Sequence, residues 1–210
     1  MDQLLEKLFE SIPKVRLLRL FMQNPDTQFT FPQIVDRTRV SPTSTRSELG
    51  KLERIRLIKE KESTIRLDPL KHPFSKKKNP IRTKSIMTYF VNPDFPFLSE
   101  LRDLVIKSSV ASRKRLVSQI KALGRVKLAV ISGVFINNDR ARTDLLIVGD
   151  DIGRKRVENF LAQVESELGK SVSYTLMDLD EFKYRMNMYD RFLRDILEFP
   201  HEKLINKVNI

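Results

Sequence analysis

The apolar residues of this chain change rhythm once, near Gly124, and that change constrains the fold more than any single motif. Before it, apolar residues recur at helical spacing: Leu4, Leu5, Leu8 and Phe9, then Val15, Leu17, Leu18, Phe21 and Met22. After it come short continuous runs of the buried-strand type, Val126 to Ser132 and Asp144 to Val148. A chain of 210 residues can hold two cores, and the two rhythms place one in each half. The expected division is residues 1–95, a helical connector over 96–124 that could serve dimerisation, and residues 125–210.

In the first half, Pro13 can occupy an opening helical turn, and Thr30 is placed to cap a short helix ending near Thr38. Arg39 to Ser41 then forms a tight connection, and a further helix begins at Pro42. Its inward stripe reads Thr45, Leu49, Leu52 and Ile55, and its outward face reads Thr43, Ser44, Arg46, Ser47 and Lys51. Leu57 to Leu67 and Ser85 to Val91 alternate in part, as two strands of a hairpin would. The loop joining them, Asp68 to Lys84, holds prolines and the run Lys76-Lys77-Lys78 and is expected to be solvated. Two more helices are expected over Phe97 to Lys107 and Ser112 to Lys121.

Charge has an address here. Between Arg37 and Lys84 there are fifteen Lys and Arg against five Asp and Glu, so +10 of the chain's formal +12 lies in this stretch. A charge run alone is commonly a solvated face. This one coincides with a helix-turn-helix pattern and a hairpin, a geometry that presents cations to phosphates. Arg46 is suited to guanine O6 and N7, and Thr43, Ser44 and Ser47 to phosphates or base edges near a helix start. Arg37, Arg39, Lys51 and Arg54 are expected beside the groove, with Lys71, Lys76, Lys77, Lys78, Arg82 and Lys84 acting from the hairpin.

In the second half, Gly153 to Leu168 reads as an amphipathic helix stopped by Gly169, and Ser171 to Met177 as a strand. One helix is expected over Asp180 to Glu198, with Phe182, Met186, Tyr189 and Leu193 as its packed stripe. Strands alternating with helices suggest an α/β arrangement. The absence of cysteine excludes disulfides and thiolate metal sites, and His72 and His201 alone cannot build a zinc centre. The opening Met-Asp-Gln-Leu-Leu-Glu-Lys has no basic head followed by an apolar core, and no apolar run reaches membrane length, so no secretory signal, a cytoplasmic location and no membrane partner are expected.

Val40 to Ile58 resembles the recognition-helix segment of ArsR/MarR-like winged-helix regulators, in which a polar helix start and spaced leucines end in Gly-Leu-Ile; Arg56 stands where that glycine is usual. The resemblance spans about residues 10–95 and implies duplex DNA as partner, a homodimer and regulation of transcription. Leu4 to Phe9 and Phe97 to Lys107 are the expected pairing helices.

The stretch from Val130 to about Ile205 resembles the small nucleotidyltransferase-like domains (MNT-type) of the polymerase β superfamily. It does so through Ile131-Ser132-Gly133, Arg142 to Asp150, Val172 to Met177, Glu181-Phe182 and Asp190 to Leu193. Active members of that superfamily hold two magnesium ions on an Asp-x-Asp pair and a third acid. Here Val134 follows Gly133 where serine is usual, Arg142 replaces the first aspartate, Asp144 remains, and Ser173 and Thr175 stand where the third acid is sought. A guanidinium beside a divalent ion repels it, so no catalysis, no cofactor and no metal are expected. Asp144 is expected to pair with Arg142 or Arg140, or to cap a loop. The surface around Gly133, Arg140, Arg142 and Asp144 could keep a nucleotide or a protein partner. The alternative functions are an active nucleotidyltransferase modifying protein or RNA, and an RNA-binding or antitoxin-like interaction module.

Overall fold

The structure, a computed structural model, describes residues 4–67, 82–108, 113–136, 138 and 140–208, with the backbone alone at 65–67, 82–84 and 108. Its architecture is mixed α+β with two separate sheets. The first half opens with α1 (Leu4–Phe9) and α2 (Ile12–Gln23), followed by β1 (Phe29–Thr30), α3 (Phe31–Thr38) and α4 (Pro42–Arg54). A long antiparallel hairpin, β2 (Ile58–Leu67) and β3 (Arg82–Val91), and α5 (Leu98–Ser108) complete it.

Three helix starts in the first half are capped by side chains. Ser11 Oγ accepts the Lys14 N–H at 3.2 Å, and Ser41 Oγ accepts the Ser44 N–H at 3.3 Å. Thr30 and Gln33 cap reciprocally, with the Thr30 N–H donating to Gln33 Oε1 at 2.8 Å and the Gln33 N–H donating to Thr30 Oγ1 at 3.4 Å. α2 is the hub of this half and packs against α1, α3, α4 and α5. Phe21 is completely buried there and meets Phe29 edge on, with ring centroids 6.0 Å apart. The hairpin is in register from Ile58 opposite Val91 to Leu67 opposite Arg82, so β3 starts three residues before the expected Ser85. β1, too short to be read from sequence, adds to the other edge of β3 with Phe29 opposite Tyr89.

α6 (Arg113–Lys121) leads into the second sheet: β4 (Arg125–Ile131), β5 (Leu145–Asp150), α7 (Arg154–Leu168), β6 (Tyr174–Met177), α8 (Leu179–Asn187), α9 (Arg191–Glu198) and β7 (Glu202–Asn206). The strand order is β6-β5-β4-β7. The expected α/β unit is confined to β5, α7 and β6, which pair in parallel across a helical crossover; β4 runs antiparallel to both its neighbours. Period-two alternation serves two cores at once. Ala129, Ile131, Leu145 and Ile147 face α6 and α7, while Leu128, Val130, Leu146 and Val148 face α8 and α9.

Three expectations are corrected. Ile55 does not belong to the inward stripe of α4; it is 57% exposed, because the helix tightens at its end and Arg56, at φ 61, turns Leu57 into the buried place. The helix expected over Asp180 to Glu198 is broken. Tyr189 adopts φ 53, its N–H reaches the Met186 carbonyl and the Asp190 N–H reaches that of Arg185, a Schellman ending, after which the Asp190 side chain caps α9. Tyr189 is therefore 84% exposed and is no part of the packed stripe, which keeps Phe182 and Leu193 buried.

The halves are joined through α7, whose end lies against α2 and α3. Arg19 Nη1 donates to the Glu167 carbonyl at 2.9 Å, and Asn24 Nδ2 to that of Gly169 at 2.7 Å. Gly169 is required twice: it ends α7 at φ 78, and a β-carbon there would stand 2.4 Å from the Arg19 carbonyl carbon. Among the described residues no helix is long and apolar enough to cross a membrane.

Candidate functional site

Two candidate sites came from the sequence, and their geometries differ. The first is the outer face of α4. Thr45, Leu49 and Leu52 are buried, so the helix is held by that stripe, and Thr43, Arg46, Ser47, Lys51 and Arg54 are left exposed on the other side. Ser44 is half-buried, and its hydroxyl accepts a 2.9 Å hydrogen bond from that of Ser41. Arg37, in the last turn of α3, and Arg39, at φ 51 on the turn that follows, are exposed. Arg82 and Lys84 fall on the β3 backbone; Lys71, Lys76, Lys77 and Lys78 lie outside the described residues.

The exposed arginines are restrained. The Arg46 guanidinium lies over the Phe31 ring at 5.2 Å from its centroid, and that of Arg37 over Phe29 at 5.4 Å. Arg46 also faces Tyr89 on β3, whose hydroxyl is pushed above its ordinary pKa by burial and by the Glu60 and Glu53 carboxylates, with Arg46 opposing. Glu53 is itself raised above the usual carboxylate value, first by burial, then by the charge of Glu60 and a hydrogen bond with it.

Sequence reasoning missed two residues that build this face. Glu48 is 7% exposed within the inward stripe and accepts from Lys51 Nζ at 2.7 Å and from Ser11 Oγ at 3.4 Å, tying α4 to the start of α2. A charge at the buried i+3 position after Thr45 was the available signal. Arg16 Nη1 donates to the Thr38 carbonyl at 3.1 Å and to that of Arg39 at 3.4 Å, closing the end of α3 and holding the turn. Nothing local to Arg16 announces that partner.

The second candidate is the loop between β4 and β5. The Asp144 carboxylate does not pair with Arg142 or Arg140. Its Oδ1 accepts the Val134 N–H at 2.7 Å, and its Oδ2 accepts the Ser173 N–H at 2.8 Å and the Ser173 hydroxyl at 2.7 Å. Gly133, at φ 54, makes room for this, since a β-carbon there would lie 1.8 Å from Asp144 Oδ1. Arg142 turns away to pair with Asp195 on α9, and Arg140 is exposed in the loop. Gly133 and Asp144 thus come together, and the two arginines go elsewhere. Physically this is a buckle joining the loop to the segment ahead of β6 through charge-assisted hydrogen bonds. Among the described residues no group of three or more His, Asp or Glu is placed to hold a metal ion.

Comparison of the chain with protein-family models, with curated proteins and with solved structures finds no match in any of the three. The functional reading therefore rests on these two geometries.

Proposed function

We propose that the chain is a DNA-binding transcriptional regulator. In this reading α3 and α4 are the helix-turn-helix of a winged-helix domain, β2 and β3 are its wing, and the second half is a nucleotidyltransferase-like domain without transfer chemistry. One observation carries it: the exposed row Thr43, Arg46, Ser47 and Arg54 on a helix anchored by Thr45, Leu49 and Leu52. Such a helix can enter a major groove without losing any of its packing. Arg46 is the base-reading side chain, suited to guanine by its two parallel donors. Thr43 and Ser47 contact the backbone or base edges at the helix start, and Arg37, Arg39 and Arg54 neutralise flanking phosphates.

In the second half, both Asp144 oxygens are engaged by protein donors and Arg142 by Asp195, which argues for a structural role over a metal site. Two copies would pair through α1 and α5, where Leu4, Leu8 and Leu104 are exposed, and so present two α4 helices to two half-sites. A regulator of this kind works in the cytoplasm.

The test is a titration of labelled duplex DNA with wild type and Arg46→Ala. Wild type is expected to bind below ~10 μM at ~100 mM salt, with a log-log salt slope near about −5 if roughly six phosphates are neutralised. Arg46→Ala should weaken binding to a preferred sequence by roughly ten- to a hundredfold. Failure of wild type to bind any duplex in that range overturns the reading.

A further inference from the structure

A cleft lies where the helix-turn-helix meets the end of α7. Arg37 and Arg39 line it from the end of α3 and the turn that follows, Lys170 and Ser171 from the segment after α7, with Leu20 and Ala162 as apolar lining. Its volume is about 100 Å³, several times the ~10 to 15 Å³ that admits one water and enough for a phosphate group.

Two helix C-termini converge on this cleft, and bare carbonyls there would repel an anion. Here four carbonyls at these ends are engaged by side-chain donors. Arg16 takes the carbonyls of Thr38 and Arg39, Arg19 that of Glu167, and Asn24 that of Gly169. Two carboxylates also line the cleft. Glu165 turns one oxygen to the Val172 N–H at 2.8 Å, and Asp36 is exposed at the rim. Three cations against two acids leave a positive excess, and the Arg16 guanidinium on the same turn adds to it.

We propose that this cleft binds a phosphate group, with Arg39 and Lys170 as its principal contacts and Arg37 beside them. The phosphate comes from one of two sources. A backbone phosphate of the duplex read by α4 would extend the footprint onto the second half of the chain; this source rests on the DNA-binding reading. A phosphate carried by a small molecule would instead hold α3 against α7 and engage Arg37 and Arg39 away from DNA.

The 210-residue chain and its Lys170→Gln, Arg39→Gln and Ser171→Glu variants separate these sources. The last replaces an exposed hydroxyl, so it tests the cleft by repulsion with little demand on folding. In one arm, inorganic phosphate replaces chloride at constant ionic strength, and binding is read by calorimetry and by the thermal midpoint. In the other, duplex affinity is measured from about 50 to about 200 mM salt. A small-molecule source predicts phosphate binding by wild type that weakens about tenfold or more in each variant, with the duplex salt slopes of Lys170→Gln and Ser171→Glu equal to that of wild type. A duplex source predicts a slope less negative by about 0.9 in Lys170→Gln, the contact that the cleft alone adds. If phosphate does not bind and the slopes of Lys170→Gln and Ser171→Glu equal that of wild type, the proposal is overturned even though the duplex is still bound. If wild type binds no duplex at all, the regulator reading fails, and the phosphate arm decides the cleft by itself.

Discussion

The outer face of α4 and the Asp144 loop were equally polar as sequence, yet they dispose of their hydrogen bonds in opposite ways. On α4, Thr43, Arg46, Ser47 and Arg54 stand in solvent, with the Arg46 guanidinium steered by the Phe31 ring rather than held by a carboxylate. In the loop, each Asp144 oxygen ends on a backbone N–H, and Arg142 ends on Asp195. Polar groups satisfied inside the protein hold the fold; those left to water are the ones an external partner can reach. Charged residues clustered in sequence do not reveal which of the two they will be.

The largest effect expected from this contrast is in the loop. Gly133→Ala would drive a β-carbon to within 1.8 Å of Asp144 Oδ1 at a backbone φ of 54, so the buckle must open. We expect a loss of about 3 kcal/mol or more in urea unfolding, with duplex affinity of the folded protein unchanged. A Gly133→Ala protein as stable as wild type would remove the structural role assigned to the loop.

Asp144→Asn sharpens the same point. It places an amide against donors now facing a carboxylate, and should cost about 2 kcal/mol of stability. Incubation with radiolabelled ATP and magnesium should leave no label on protein or RNA for either wild type or variant. Label transfer that depends on Asp144 would make the loop an active site and reverse the comparison.

Effects on the α4 face should be smaller and should fall on binding. Phe31→Leu removes the ring under Arg46, and duplex affinity should drop roughly two- to fivefold, corresponding to about 0.5 to 1 kcal/mol, as measured by fluorescence anisotropy. Unchanged affinity together with unchanged base preference would show that the ring does not position Arg46.

The smallest effect concerns Glu53, whose carboxyl is held above its ordinary pKa by burial, by Glu60 and by their hydrogen bond. A raised folded pKa means that the charged form is disfavoured in the folded state. The stabilisation is complete below the ordinary carboxylate range and is lost as pH rises through the raised value. Glu53→Gln should abolish that slope in chemical unfolding across mildly acidic pH and slightly raise stability at neutral pH. An unaltered slope would place the titration elsewhere.

Much of the first half was legible because its signals are local. The cap at Thr30, prolines in first turns and the Thr45/Leu49/Leu52 stripe lie within a few residues of what they determine. The strands β4 and β5 were legible as apolar runs. The edge strands β1 and β7 were not, being short and defined only by the neighbour they pair with. The break at Tyr189 was hidden because no glycine or proline marks it; an aromatic residue occupies the left-handed position.

What the sequence alone determined, then, was periodicity: the inward Thr45, Leu49 and Leu52 of α4, where a strand lies buried on both sides, and where the charge is concentrated. The tertiary structure decided the partners. That Asp144 meets Ser173, that Arg142 meets Asp195, that Arg16 closes the end of α3 and that α7 reaches α2 and α3 all join residues far apart in the chain. Periodicity is a property of a few successive residues, whereas a hydrogen-bond partner depends on which segments packing brings together, and no local pattern encodes that.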